Sequence, residues 1–128
     1  MDSDRHKVYL SIGSNHENCL AYVEQASSRL QSVLTDWKMC SPYKTEAING
    51  VDADYLNAVA VGYWNGDEES LNQICKSIER ALGRTRDNKS HSVEIDIDLV
   101  CFDDDILRPA DYAREYFSIG FKELSEDC

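Results

Sequence analysis

From Val93 to Phe102 apolar and acidic residues alternate, the pattern of a strand with one face buried. Val93, Ile95, Ile97 and Leu99 are expected on one face, and Glu94, Asp96 and Asp98 on the other, with same-face neighbours about 6.5–7 Å apart. The same alternation at Val8, Leu10 and Ile12 predicts a strand over Lys7–Ile12, followed by a turn at Gly13-Ser14-Asn15. Leu20, Val23, Ala26, Leu30, Val33 and Leu34 recur at helical spacing, which predicts an amphipathic helix over roughly 17–35. Trp37–Thr45 reads as a second strand, 46–54 as a loop and Tyr55–Trp64 as a third strand. Asp67 suits an N-cap, with Glu68 and Glu69 favourable to the helix dipole in the first turn. Leu71, Ile74, Ile78 and Leu82 then form a helical stripe, and Gly83 suits the C′ position. A loop over Arg84–Ser92 leads into the acidic strand, Asp103-Asp104-Asp105 reads as a solvated turn, and a last short strand is expected at Tyr116–Leu124.

The order β-α-β-β-α-β predicts an α+β fold of ferredoxin-like type, an antiparallel sheet with both helices on one face. The 128 residues are expected to form a single domain, 1–128, and the 42% apolar fraction argues for a packed core. The net charge of −11 disfavours nucleic acid and anionic membrane as partners. Met1–Lys7 lacks the apolar core of a signal peptide, and no apolar run approaches membrane-spanning length. Five cysteines without a paired spacing predict reduced thiols and a cytoplasmic location. His6, His16 and His91 have no zinc-ligand spacing.

Adjacent carboxylates on one strand face repel, and strands disfavour aspartate. Keeping Asp96 and Asp98 there suggests a hard divalent cation such as Mg²⁺, which takes one or two carboxylates plus substrate phosphates. A solvated strand face is the alternative. Arg84, Arg86, Lys89 and His91 in the preceding loop form the main basic cluster of an acidic chain. Beside the carboxylates they suggest a phosphate clamp facing a metal; a solvated loop rim is the alternative. The Gly-Ser-Asn turn lacks the glycines and lysine of a P-loop.

Val8-Tyr9-Leu10-Ser11-Ile12-Gly13-Ser14-Asn15 resembles the opening of the 6-hydroxymethyl-7,8-dihydropterin pyrophosphokinase family of folate biosynthesis. Tyr43-Lys44-Thr45 and Asp54-Tyr55-Leu56-Asn57-Ala58 resemble its pterin-site segments. Ile78–Arg86 resembles its second helix and catalytic loop, and Ile95-Asp96-Ile97-Asp98-Leu99 its metal strand. These matches follow the family's order, and its fold is ferredoxin-like. The resemblance implies Mg²⁺-dependent transfer of pyrophosphate from ATP to the pterin hydroxymethyl group. It assigns two Mg²⁺ to Asp96 and Asp98, with Arg84 and Arg86 as further catalytic residues. Thr45, Tyr55, Asn57 and Tyr116 would hold the pterin; Glu79, Arg84, Arg86, Lys89 and Leu99 would meet the nucleotide.

The chain also departs from that pattern. The family usually has Trp-Gly-Pro-Arg-Thr before its metal strand; Val93 and Glu94 stand here in place of the arginine and threonine. The segment after the metal strand shrinks to Arg108–Arg114, and the sequence stops at Cys128 without the family's extension. The ATP side is therefore expected to bind weakly, with Lys89, His91, Arg108 or Arg114 as replacement cations. Two rivals remain open: a degenerate family member that binds a pterin-like ring without catalysis, and an interaction module that pairs its sheet edge with a partner.

Overall fold

The computed structural model describes residues 5–48, 50, 52–84 and 93–126. Its sheet is antiparallel throughout. Strands β1 (His6–Ser14), β2 (Thr35–Met39), β3 (Tyr43–Thr45), β4 (Tyr55–Trp64), β5 (Asp96–Phe102) and β6 (Asp105–Ile106) run in the order β2-β4-β1-β5-β6, and β3 also pairs with β4. Helix α1 (Cys19–Gln31) joins β1 to β2, and α2 (Glu68–Ala81) follows β4 toward β5. This is the expected ferredoxin-like α+β core: β1 lies between β4 and β5, and β2 with β3 flanks β4.

The two faces of the sheet carry different chemistry. In β1, Leu10 and Ile12 pair with Ala60 and Ala58 of β4 and with Leu99 and Ile97 of β5. All six are buried, and α1 and α2 cover them with Val23, Ala26, Leu30, Leu71, Cys75 and Ile78. On the other face Ser11 pairs with Val59 and Asp98, and Gly13 with Asn57 and Asp96. The alternation in β5 therefore sorts Ile97 and Leu99 into the core and both aspartates onto the opposite face.

Four boundaries differ from the sequence reading. Gly13 and Ser14 belong to β1 instead of a turn. The helix expected over 17–35 ends at Gln31, so Leu34 packs from a connecting segment, and Leu20 is exposed. The strand expected over 37–45 is interrupted at Cys40-Ser41-Pro42, where Pro42 has no N–H to give to a ladder. Pairing in the acidic strand starts at Asp96, although Ile95 is already buried.

The largest correction concerns Tyr116–Leu124. It lies in a helix, α4 (Glu115–Glu126), preceded by the short α3 (Pro109–Ala113). Phe117, Gly120 and Leu124 are its buried positions, a spacing of three and four that fits a helix and not a strand. Consequently the helices are not all on one face. α4 packs on β4 and β3 across the face opposite α1, with Phe121 against Tyr9 at a ring distance of 4.8 Å. Of Asp103-Asp104-Asp105, the first two form the turn of the β5–β6 hairpin, with Asp103 left-handed at φ 54°, while Asp105 opens β6 and pairs with Phe102.

Gly120 sets how closely α4 approaches. A Cβ there would fall 2.7 Å from Val59 Cγ2 and 2.8 Å from Cys40 Sγ. Alanine would gain up to about 1 kcal/mol of helix propensity, but overpacking costs about 1–3 kcal/mol. Gly120→Ala should therefore lower stability by roughly 1–2 kcal/mol, seen as a lower urea midpoint; an unchanged midpoint would contradict this close approach.

Candidate functional site

Beside α4, on the sheet face away from α1, lies a pocket of about 390 Å³. Gly13 and Ser11 form its floor, Tyr55, Asn57 and Tyr116 stand around it, and Asp96 and Asp98 border it. Thr45, Glu46, Ala47, Ile48 and Asp52, from β3 and the following loop, complete the lining. Six side chains singled out in the sequence thus converge: Thr45, Tyr55, Asn57, Tyr116, Asp96 and Asp98. Their elements explain how. Tyr55 and Asn57 alternate on the inner end of β4, Asp96 and Asp98 on β5, and the β1 register carries both strands past Gly13.

Asn57 is 2% exposed. Its Nδ2 donates to Thr45 Oγ1 at 2.8 Å, the Tyr55 carbonyl at 3.3 Å and the Tyr43 carbonyl at 3.4 Å. Those acceptors orient the amide, leaving Oδ1 on the Gly13 side as an acceptor for a ligand N–H. The Tyr116 hydroxyl donates to Asp111 Oδ1. Its carbonyl accepts from the Tyr43 hydroxyl at 2.6 Å, and that hydroxyl accepts from Gly120 N at 3.1 Å. Burial pushes the Tyr43 phenol up to about 12, so it stays a neutral donor. Burial also raises Tyr55, helped by the charges of Asp96 and Asp52.

The carboxylate pair is electrostatically unequal. Burial raises Asp98 to about 7, and the neighbouring Asp96 adds to that rise; Lys76 and Arg108 oppose it. For Asp96 burial acts in the same sense, but a hydrogen bond from Asp98 and the Arg84 guanidinium outweigh it and hold its carboxyl below the usual range. Burial and mutual repulsion thus favour one shared proton on the pair over two charges. Arg84 donates to Asp96 Oδ1 at 2.8 Å and to Glu79 Oε2 at 3.1 Å. Its position comes from the end of α2: Gly83, left-handed at φ 96°, donates to the Arg80 carbonyl, and Arg84 N donates to the Glu79 carbonyl. That is the Schellman pattern, and it turns the chain back toward β5.

Glu79 was expected at the nucleotide, but its principal contacts are internal. It is 4% exposed, and Oε2 accepts from Ile97 N at 2.6 Å as well as from Arg84 and Lys76. Leu99, expected on the nucleotide side, is 2% exposed in the core, so its side chain does not line the pocket. Arg86, Lys89 and His91 lie outside the described residues. The Gly-Ser-Asn segment acts as a clamp: Asn15 N and Ser14 Oγ donate to the Val93 carbonyl, and Val93 N donates to Asn15 Oδ1 at 2.6 Å.

Sequence reasoning missed Lys76, Asp111, Ser11, Glu46 and Asp52 as site neighbours. Lys76 lies 3.6 Å and Arg108 3.8 Å from Asp98 Oδ1. The spacing of Lys76 three residues before Glu79 was the available signal; Asp111 became visible only once Tyr116 was placed on a helix. Among the described residues no group of three or more His, Cys, Asp or Glu side chains could hold a metal. Two carboxylates still suit Mg²⁺, which keeps waters and shares substrate phosphates.

A ferredoxin-like sandwich with a ligand-sized pocket bordered by two carboxylates defines an α+β protein whose pocket has the size and lining that suit a small molecule. The chain belongs to the 7,8-dihydro-6-hydroxymethylpterin-pyrophosphokinase family, which it matches over residues 9–126. It is 28% identical over 102 residues to the 2-amino-4-hydroxy-6-hydroxymethyldihydropteridine pyrophosphokinase of Aquifex aeolicus (strain VF5), covering 79% of this chain and 64% of that protein. It is 26% identical over 132 residues to the protein of the same name from Methylorubrum extorquens (strain ATCC 14718 / DSM 1338 / JCM 2805 / NCIMB 9133 / AM1), covering 94% and 84%. No helix among the described residues is long and apolar enough to cross a membrane.

Gly13 lies at the pocket floor, where a Cβ would crowd Asn57 Oδ1 at 3.3 Å and meet the Tyr55 ring at an ordinary 3.6 Å. Gly13→Ala should cost under about 1.5 kcal/mol of stability and weaken binding of a flat heterocycle several-fold in calorimetry. Equal affinity would show that the ligand sits elsewhere.

Asp98 also predicts a pH dependence. Its folded-state value exceeds the unfolded one, so its contribution to stability is present at low pH and lost as pH rises from about 4 through 7. Asp98→Asn mimics the protonated form. In the metal-free protein its advantage over the parent should grow across that window and level off above pH 8, at about 1–3 kcal/mol. Denaturant titrations at pH 4 and 8 measure it, and a constant difference would contradict the shift.

Proposed function

We propose that this protein transfers pyrophosphate from ATP to the hydroxymethyl group of 6-hydroxymethyl-7,8-dihydropterin, with Mg²⁺ and release of AMP. The observation that carries the reading is the adjacency of Tyr55, Asn57 and Tyr116 to Asp96 and Asp98 in one pocket, in a chain of this family. Tyr55 and Tyr116 suit the two faces of a flat ring, while Asn57 Oδ1 suits its N–H edge. Thr45 Oγ1 fixes Asn57 from behind. Asp96 and Asp98 would hold Mg²⁺, which when bound supplies charge neutralisation along the phosphates. Arg84, already against Asp96, would stabilise charge on the transferring group. Arg86 and Lys89 are proposed for the same side.

A second reading is a family member that binds the ring without catalysis. It is favoured by Val93 and Glu94, which offer no cation where the resembled pattern has an arginine, and by a pocket lining that, among the described residues, has four acidic and no basic side chains.

Measuring AMP formed from ATP and the pterin separates the two readings. Turnover that Asp96→Ala and Asp98→Ala each abolish, with the fold kept by circular dichroism, is expected for the enzyme. Pterin binding with no AMP would favour the second reading. Losing one charge-assisted phosphate contact costs on the order of 1.5–3 kcal/mol. Val93→Arg with Glu94→Thr should therefore tighten Mg-ATP binding by about tenfold or more at low salt. No gain would show that the nucleotide does not pass this position.

A further inference from the structure

Among the described residues, three cationic side chains stand against the two strand carboxylates: Arg84 on Asp96, and Lys76 and Arg108 on Asp98. They are tied down to different degrees. Arg84 also serves buried Glu79. Lys76 donates to the Ile97 carbonyl at 3.2 Å and to Glu79 at 3.3 Å, so moving it would uncover a strand edge. Arg108 is anchored through Nε, which donates to Asp111 Oδ2. That leaves the two terminal nitrogens of its fork for other anions, and Nη1 meets Asp98 at 3.8 Å. Its side chain is 48% exposed. Asp111 also accepts from the Tyr116 hydroxyl, so this one carboxylate links the guanidinium beside Asp98 to a residue of the pocket lining. On the proposed function, phosphates between a metal on the aspartates and a ring at Tyr116 would run near this guanidinium.

We propose that Arg108 is a phosphate-binding residue that guards Asp98 until a divalent cation arrives, and that Asp111 positions it. This rests on the reading of Asp96 and Asp98 as metal ligands. A guanidinium and a divalent cation compete for the same Asp98 oxygen. When the cation takes it, the fork of Arg108 is released but stays tethered by Asp111, within reach of the phosphate oxygens that accompany the metal. Guanidinium geometry suits such oxygens in pairs. The consequence is a reversal of sign: removing Arg108 should help the metal bind alone and harm binding of the metal–nucleotide complex. A residue that only supports the fold would weaken both, and a phosphate contact with no guarding role would leave the metal alone unaffected.

The test uses Mn²⁺ without nucleotide, followed by electron paramagnetic resonance, and the Mg²⁺ complex of α,β-methylene-ATP, followed by calorimetry. Arg108→Gln should bind Mn²⁺ about two- to fivefold tighter, the scale of a half-exposed ion pair. It should bind the analogue about tenfold more weakly, the scale of a charge-assisted phosphate contact. Asp111→Asn, which keeps an acceptor for Tyr116 but loosens the tether, should weaken the analogue by about two- to fivefold. Both affinities moving in the same direction in Arg108→Gln, or either one unchanged, would overturn the inference while leaving the metal site standing. A parent protein that binds neither Mn²⁺ nor the analogue would overturn the metal reading and this inference with it.

Discussion

Two carboxylates two residues apart on a half-buried strand face are the constraint around which this molecule is arranged. Like charges in a poorly solvated site repel strongly; burial and Asp96 push Asp98 toward its neutral form, and among the described residues cations from α2, its closing turn and the start of α3 face the pair. Arg84 arrives through the turn that ends α2, Lys76 from the middle of α2, and Arg108 from the start of α3. Each of those elements must be placed correctly for the pair to be tolerated. The carboxylates are therefore expensive to keep, which supports the divalent cation proposed for them.

The split between the two sheet faces follows from the same strand. With a side-chain period of two, β5 cannot bury Ile97 and Leu99 without presenting Asp96 and Asp98 on the other side. The apolar face is closed by α1 and α2. The polar face is closed only partly by α4, and the uncovered remainder is the pocket. Gly120 permits α4 to lie close on β4, and Gly13 keeps the floor open beneath Asn57. Two missing side chains thus set the boundary between packed core and ligand space.

Much of this was legible in the residues. The alternation of β5, the stripe of α2 with its Asp67 cap and Gly83 stop, and the β-α-β-β-α-β order led to the fold, and Tyr55, Asn57, Asp96 and Asp98 were named before their proximity was visible. The errors have physical causes. Tyr116–Leu124 is rich in aromatic and branched residues that favour strands, and tertiary packing of Phe117, Gly120 and Leu124 overrode that preference. Gly13 and Ser14 look like turn residues, but cross-strand pairing holds them extended. The resemblance assigns Glu79 to the nucleotide side, and nothing local announces that its carboxylate also accepts the Ile97 N–H. Arg108 and Asp111 could not be joined to Asp98 and Tyr116 until α3 and α4 had been placed, since those contacts cross elements that share no periodic signal.

The bonds from α2 to Ile97 have a consequence for solubility. β6 pairs only with the far end of β5, at Cys101 and Phe102, so among the described residues the stretch that carries the aspartates has no strand along its outer edge. An open edge next to an apolar run such as Ile95–Val100 invites pairing with another chain. At Ile97 the Glu79 carboxylate takes the N–H and the Lys76 ammonium takes the carbonyl. One turn of helix thus imitates the hydrogen bonds of a neighbouring strand while offering nothing for a further strand to extend. At this position α2 occupies the bonds that a further strand would need, using two side chains that lie beside the carboxylate pair.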